Sequence, residues 1–128
     1  MSSIPKNLRY TETHEWARLE ADGTVTIGIT DYAQHQMGEI VMVELPRKGH
    51  QAARGASLGA LEAVKTASDY YSPVDGTVED ANTKLESDPG LVNTDCYGAG
   101  WLAVVKPSDP SQLDSLMDAS GYARHTGE

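Results

Sequence analysis

The amino-acid sequence predicts a mainly β fold, a small sandwich or partly open barrel of two antiparallel sheets with few helices. Apolar and polar residues alternate over 24–30, which is the period-two pattern of a strand with one buried face. Further short apolar stretches follow, separated by glycine, proline and asparagine, as in closely spaced antiparallel strands. Helical periodicity is absent until the C-terminal region. The whole chain, 1–128, is predicted to form one domain, with frayed residues over 125–128.

Turn-forming residues separate the predicted strands. Ala21-Asp22-Gly23 reverses the chain between the first two strands. In the third strand Val41, Val43 and Leu45 are the alternating apolar residues, and Pro46 ends the strand because proline cannot donate a hydrogen bond to the sheet. The predicted strands cover 15–19, 24–30, 41–45, 56–64, 69–72, 76–81 and 101–106.

Capping patterns predict two helices. Asp31, with Gln34 three residues later, resembles a capping box and predicts a short helix near 31–37 that Gly38 ends. Asp109-Pro110-Ser111-Gln112 combines an N-cap with a proline at the first helical position, and it predicts a C-terminal helix near 110–120. The apolar face of that helix, which would pack against the sheets, consists of Leu113, Leu116 and Met117.

The charge and the cysteine content exclude several classes of function. Ten Lys and Arg against 19 Asp and Glu give a formal net charge of −9, so neither nucleic acid nor a membrane is an expected partner. Cys96 is the only cysteine, so the chain can form no internal disulfide and no metal site is expected. No stretch resembles a secretory signal or a membrane span. The cytoplasm is therefore the expected compartment, with a processed organellar protein as the alternative.

Lys65 lies at the apparent tip between two predicted strands, and it has two interpretations. One is an ordinary solvated turn residue, which most surface lysines are. The other is a site of modification, because Glu62 lies three residues before Lys65 and Gly76 lies eleven after it. If the strands pair across this turn, Gly76 leaves a smooth backbone surface near its base. A modifying enzyme could then recognise Glu62 and Gly76 together with the exposed amine of Lys65.

Four blocks of the sequence resemble the H-protein family of the glycine cleavage system, in the right order over roughly residues 8–122. They are LRYTETHEWARLE, TVTIGITDYAQHQMGEIVMVELP, GALEAVKTASDYYSPVDGTV and LVNTDCYGAGWLAVVKPSDPSQLDSLMDASGY. The resemblance implies the barrel-sandwich hybrid fold of lipoyl and biotinyl carriers. Biotin carriers place their lysine between methionines, whereas Val64 and Thr66 flank Lys65. Lipoyl domains of 2-oxoacid dehydrogenases usually carry Asp-Lys-Ala and lack the first block and the C-terminal helix.

The resemblance implies a non-catalytic lipoyl-carrier domain that acts in glycine catabolism and one-carbon metabolism. Lipoate would be joined as an amide to Lys65, and lipoylating enzymes would read Glu62 and Gly76. The implied partners are glycine decarboxylase (P protein), which loads an aminomethyl group onto the lipoyl arm, and an aminomethyltransferase (T protein), which passes the one-carbon unit to tetrahydrofolate. Dihydrolipoamide dehydrogenase (L protein) would then reoxidise the arm. We expect the carrier itself to be a monomer.

The resemblance also implies a groove that shelters the aminomethyl-lipoyl arm from water. Glu15 and Asp69 would hold its ammonium group, and Thr13 and Ser68 would be weaker polar lining. By spacing alone, Glu15 is equally well a surface strand residue and Asp69 a turn-stabilising carboxylate. We predict that replacing both carboxylates with alanine speeds the loss of the aminomethyl group.

Three other functions remain open at this stage. The chain could be a lipoyl-relay protein that donates lipoyl groups to other complexes, or a plain β-sandwich interaction module with unmodified Lys65. It could also be an enzyme that uses His14, Glu15 or Cys96, although no nucleophile–base spacing supports one. His14 is better explained as a packed or half-buried histidine. Cys96 stands where the family usually has proline, so the loop lacks one fixed backbone angle, and we expect the thiol to be inert.

Overall fold

A computed structural model describes residues 3–127. Within this range, nine short strands form a six-stranded sheet with the order β1-β2-β3-β9-β8-β5 and a three-stranded sheet with the order β4-β6-β7, and every pairing is antiparallel. This confirms the predicted fold class. The strands are β1 Arg9–Tyr10, β2 Glu15–Leu19, β3 Val25–Ile29, β4 Ile40–Glu44, β5 Gln51–Ala52, β6 Ser57–Ala63, β7 Ala67–Tyr71, β8 Gly76–Ala81 and β9 Ala103–Pro107.

Four α-helices and one 3-10 helix connect or flank the strands. The α-helices are α1 Asp31–Met37, α2 Lys84–Ser87, α3 Leu91–Thr94 and α4 Ala119–Thr126, and the 3-10 helix is Pro110–Ser115. Among residues 3–127, no helix is both long enough and apolar enough to cross a membrane.

The core is centred on β3, all five residues of which are buried. The alternating pattern of this strand predicted one buried face, so that prediction was wrong. The polar and small residues of β3 are buried because each has a specific partner. The Thr26 hydroxyl donates to Glu20 Oε2 at 2.6 Å, and Gly28 leaves room for the indole of Trp16, its cross-strand neighbour. A Cβ on Gly28 would approach the Trp16 ring to 2.5 Å.

Helix α1 has the predicted bounds but a different N-cap. Thr30 is the capping residue, and its hydroxyl accepts a hydrogen bond from Ala33 N. Asp31 is already helical, and its Oδ1 accepts from Gln34 Nε2 at 2.7 Å. Gly38, at φ +80°, ends the helix as predicted. The helix thus begins directly where β3 ends.

The C-terminal region differs from the predicted helix near 110–120. The 3-10 helix ends at Ser115, and Met117 then pairs with Tyr10 of β1 through two backbone hydrogen bonds of 2.8 and 3.0 Å. Pairing of this kind requires extended backbone, so a continuous helix cannot pass through Met117. Helix α4 starts afresh after Asp118, whose Oδ1 accepts from Gly121 N at 2.8 Å. Its last residues, which were predicted to be frayed, are helical to Thr126, and Glu128 lies outside the described residues.

The strand predictions were correct in position but imprecise at the ends. Strand β4 begins at Ile40, and a register shift between Ile40 and Met42 leaves Val41 exposed rather than inward. Strand β7 begins at Ala67, two residues earlier than predicted, and β9 begins at Ala103, two residues later. Strand β8 has the predicted bounds.

Candidate functional site

Lys65 lies at the tip of the hairpin formed by β6 and β7. Glu62 pairs with Ala67 across the hairpin, and Ala63 N donates to Thr66 O at 2.7 Å, which closes the turn. The Lys65 side chain is exposed, and it forms no ion pair with a described residue. Glu62 is also exposed, with Met42 of β4 as its other cross-strand neighbour. The hairpin of β6 and β7, which is paired on its β6 side with β4, therefore presents the amine to solvent.

All four predicted groove residues line one cavity of about 290 Å³, called the arm cavity below. They are Thr13, Glu15, Ser68 and Asp69. Asp69 is exposed to solvent, whereas Glu15 is only 1% exposed. Strand β7 brings Ser68 and Asp69 to this cavity, and the start of β2 brings Glu15. The structure thus joins two segments that lie more than 50 residues apart in the chain.

Glu15 is a buried carboxylate without a cationic partner in the described part of the chain. Its Oε1 accepts hydrogen bonds from the hydroxyls of Thr11 and Thr13, both at 2.6 Å, and its Oε2 accepts from Tyr71 N at 3.2 Å. Burial raises the pKa of Glu15 above its ordinary value, although these hydrogen bonds act in the opposite direction. A buried carboxylate with free acceptor capacity is suited to binding a cation.

Apolar side chains form the rest of the arm cavity. They come from β3, α1 and β6, and they are Ile29, Ala33, Met37 and Leu61. Tyr32 and Gln36 of α1, together with His14, complete the lining of the cavity. An apolar wall facing a buried carboxylate fits a long aliphatic group that ends in a positive charge.

A second cavity of about 230 Å³ lies against the other side of Glu15. It shares Thr13 and Glu15 with the arm cavity, but it is otherwise lined by different residues, among them Thr11, Arg54 and Tyr71. Glu15 therefore borders both cavities.

Gly76 lies in the other sheet from the Lys65 hairpin. It is the first residue of β8 and pairs with Ala52 and Pro107. Gly76 is buried, and a Cβ there would approach Lys106 O to 2.2 Å and Val105 Cγ1 to 2.7 Å. Close packing between β8 and β9 is thus a sufficient reason for glycine at this position. A role for Gly76 in lipoylation stays a prediction.

Comparison with known proteins decides the family. The family model described as Glycine cleavage H-protein matches residues 8–128. The chain belongs to the glycine cleavage H-protein family. The H protein 2 of Pseudomonas aeruginosa is 52% identical over 122 residues, covering 95% of this chain and 94% of that protein. The H protein 2 of Pseudomonas putida is 50% identical over 128 residues, covering both chains completely.

A solved H-protein structure has the same fold. The crystal structure of the H protein from Mycobacterium marinum matches with a TM-score of 0.90 at 38% identity, covering 98% of this chain and 100% of that one. The resemblance read from the four sequence blocks is therefore confirmed, as is the two-sheet carrier fold that it implied.

Two residues considered as catalytic in this H-protein family member have structural explanations. His14 is half-buried, its Nδ1 lies 2.7 Å from the Tyr122 hydroxyl, and burial and the nearby His125 lower its pKa. No group of three or more potential metal ligands occurs among residues 3–127. Cys96 is 5% exposed, and burial raises the pKa of its thiol to about 12. At neutral pH this thiol is protonated, so the expectation of an inert cysteine is supported.

Thr11 is the site residue that sequence reasoning missed. It lies four residues before Glu15, inside the block that carries the family resemblance. Its contact with the carboxylate depends on a tight turn over 11–15, in which Thr11 N donates to Glu15 O and His14 has a φ of +74°. Positive φ at a non-glycine residue is not readable from sequence, so the spacing of Thr11 and Glu15 was the only available signal.

The packing of Gly76 leads to a prediction about stability. Gly76→Ala is expected to destabilise the fold by about 2 kcal/mol or more, because β9 would have to move away from the added methyl group. Urea unfolding measures the effect, and Gly23→Ala is the comparison variant. An added methyl group at Gly23 would meet no neighbouring atom, so that variant measures only the loss of glycine at a position with positive φ. An unaltered unfolding midpoint for Gly76→Ala would contradict the packing explanation and favour a role in recognition alone.

Proposed function

We propose that this protein is the lipoylated shuttle of a glycine cleavage system, with lipoate attached as an amide to Lys65 Nζ. When bound there, lipoate supplies a dithiolane that takes up the aminomethyl group of glycine, called the cargo below. The observation that carries the proposal is the connection between the exposed Lys65 and the arm cavity through β7. The family membership of the whole chain supports it.

The residues of the arm cavity fit a lipoyl arm and its cargo. Asp69 lies four residues after Lys65, in the strand that leaves the turn, so one hairpin carries both the attachment point and a lining residue of the arm cavity. The apolar wall would cover the hydrocarbon part of the arm and exclude water. Glu15 and Asp69 would attract the ammonium of the cargo, and Thr13 and Ser68 would add polar lining.

The chain's own contribution is binding and protection, so we class it as a carrier and not an enzyme. The proposed partners are glycine decarboxylase, which loads the cargo, the aminomethyltransferase, which unloads it, and dihydrolipoamide dehydrogenase, which reoxidises the arm. Lipoylating enzymes are a fourth class of partner. A net charge of −9 favours partners with basic docking surfaces, and we propose no nucleic acid or membrane partner. The protein would act as a monomeric single domain in the cytoplasm.

A lipoyl-relay function is less well supported than the shuttle. Donation of a lipoyl group to another complex needs the exposed lysine, but it needs no cavity for a cation. The buried carboxylate of Glu15 in the arm cavity therefore favours the shuttle.

Mass spectrometry of the protein purified from its native cell tests the proposed function. We expect an intact mass that includes a lipoyl or octanoyl adduct, and a peptide map that places the adduct on Lys65. Protein that consistently carries an unmodified Lys65, in cells grown with lipoate and glycine, would overturn the proposal.

Recognition by the lipoylating enzyme gives a second prediction. Glu62→Lys is expected to lower the lipoylation rate roughly tenfold or more, because losing one member of a desolvated charge pair costs about 2 kcal/mol or more at an interface. The substitution should leave the fold unchanged, since Glu62 is exposed and forms no ion pair with a described residue. The matched control is Glu86→Lys in α2, an exposed residue with the same charge change. Equal lipoylation rates for the two variants would exclude Glu62 as a recognition residue.

A further inference from the structure

Thr11 contacts Glu15 at two points, and the proposed function assigns no role to it. The Thr11 hydroxyl donates to Glu15 Oε1 at 2.6 Å and accepts from Glu15 N at 3.0 Å. The backbone of Thr11 also closes the turn, because Thr11 N donates to Glu15 O at 3.0 Å and His14 N donates to Thr11 O at 3.2 Å. One residue thus holds both the backbone and the carboxylate of Glu15.

The hydrogen bonds to the Glu15 carboxylate are distributed unevenly between its two oxygens. Oε1 accepts from two hydroxyls at 2.6 Å, whereas within residues 3–127 Oε2 accepts only from Tyr71 N at 3.2 Å. An ionised carboxylate can accept about four hydrogen bonds. Oε2 therefore keeps acceptor capacity that no described residue uses.

We propose that Thr11 is a positioning residue of the cargo site: it holds Glu15 Oε1 so that Oε2 is presented to the ammonium of the cargo. The identity of this cargo rests on the proposed function. The inference that Thr11 fixes the carboxylate of Glu15 depends only on the hydrogen bonds and not on the proposed function.

The location of Thr11 indicates that it positions Glu15 and does not contact the cargo itself. Thr11 lines the second cavity and not the arm cavity, so it acts on the cargo through Glu15. Thr13 makes the same 2.6 Å contact with Oε1 but lines both cavities, and only Thr11 also accepts from Glu15 N. Loss of the Thr11 hydroxyl should therefore remove one hydrogen bond to the Glu15 carboxylate and one from the Glu15 amide.

Other titratable groups also face Glu15 from the surrounding elements. Those of the second cavity are Tyr10, Glu12, Arg54 and Tyr71. Those of the arm cavity are His14, Tyr32 and Asp69. None of them forms an ion pair with Glu15, so the two threonine hydroxyls are the main groups that favour its ionised form against burial.

The test begins with the full-length protein before lipoylation. The Glu15 carboxyl is titrated by NMR in the wild type, Thr11→Val, Thr11→Ser and Thr13→Val. We expect an upward shift of the Glu15 pKa in Thr11→Val, because an ionised buried carboxylate loses a donor. Thr11→Ser keeps the hydroxyl and should restore the wild-type titration. Thr13→Val should shift the Glu15 pKa upward without moving the Glu15 amide resonance.

The second arm of the test uses lipoylated protein loaded with the cargo. Thr11→Val is expected to release the cargo roughly tenfold faster than the wild type, because one hydrogen bond to a charged group is lost. Thr11→Ser should release the cargo at the wild-type rate. If Thr11→Val does not fold, Thr11→Ala replaces it in both arms.

Two results would overturn the proposal: a Glu15 titration that is the same in Thr11→Val and Thr11→Ser, or equal release of cargo by these variants. Failure of the proposed function is a distinguishable result. An unmodified Lys65 would remove the cargo, whereas the Glu15 titration of unlipoylated protein would still decide whether Thr11 holds the carboxylate.

Discussion

Lys65→Arg is expected to eliminate the lipoyl adduct and, with it, all transfer of one-carbon units from glycine. Arginine keeps the positive charge, but its guanidinium stays protonated and is a poor nucleophile, so it cannot replace the lysine amine in amide formation. The fold should be unaffected, because Lys65 is exposed and has no ion-pair partner in residues 3–127. Intact mass after incubation with a lipoylating enzyme, and glycine decarboxylation with the partner enzymes, measure the two losses.

Lys84→Arg is the matched control for this experiment. Lys84 is exposed and lies at the start of α2, outside the hairpin, and its replacement should leave lipoylation at the wild-type level. A lipoyl adduct retained by Lys65→Arg, or found on another lysine in unaltered protein, would contradict the assignment of the attachment site.

The position of Glu15 has a cost in stability that supports a functional role. Its pKa is raised in the folded state, so the folded chain binds the extra proton more tightly than the unfolded chain does. Stability therefore falls as the pH rises from the unfolded value of 4.5 through the folded pKa, because the ionised, buried carboxylate destabilises the fold. A structural role would be better served by an ion pair or an apolar residue. The missing counter-charge is what a cationic ligand would supply.

Much of the fold was predictable because its determinants are local. The position of β3, the bounds of α1 and the glycine that ends α1 depend on neighbouring residues, and all three were placed correctly. The break at Met117 was not predictable, since it arises from pairing with Tyr10, more than 100 residues away in the chain. The burial of both faces of β3 has the same kind of cause, because it depends on Trp16 packing against Gly28.

The candidate site likewise combines features that could be predicted from the sequence with features that could not. Lys65, Glu15 and Asp69 carry chemistry that a motif can display, so the sequence blocks could name them as candidate site residues. The cavity that joins Glu15 to Asp69 is a tertiary feature, as are the hydrogen bonds that orient the Glu15 carboxylate. The strict requirement for glycine at Gly76 likewise comes from the approach of β9, which no local pattern reveals.

The protection of the cargo should depend far more on Glu15 than on Asp69. Glu15→Gln is expected to speed loss of the cargo from isolated loaded protein roughly tenfold to a hundredfold, because a hydrogen bond to a charged group is worth about 1.5–3 kcal/mol. Asp69 is exposed, and an exposed charge pair contributes about 1 kcal/mol at most, so Asp69→Asn should accelerate the loss about fivefold or less. The release of the one-carbon group over time, followed without partner enzymes, gives both rates.

Glutamine is a cleaner test at this position than alanine. It keeps the volume of the side chain and an oxygen for the Thr11 and Thr13 hydroxyls, whereas alanine would leave both hydroxyls without an acceptor. The double replacement of Glu15 and Asp69 by alanine should also accelerate the loss, but it would mix lost attraction with changed packing. Glu12→Gln is the matched control, since Glu12 is exposed and lines the second cavity only.

The pH dependence of cargo loss should separate attraction by Glu15 from simple exclusion of water. Ionised Glu15 holds the cation, so protection is present above the folded pKa of Glu15 and is lost as the pH falls through that pKa, which lies above the ordinary value of 4.5. The wild type and Glu12→Gln should show this acidic step, and Glu15→Gln should lack it, because an amide does not titrate. Since all variants keep the same apolar wall, a step of equal size in Glu15→Gln would assign the protection to some other group and exclude Glu15 as the residue that binds the cargo.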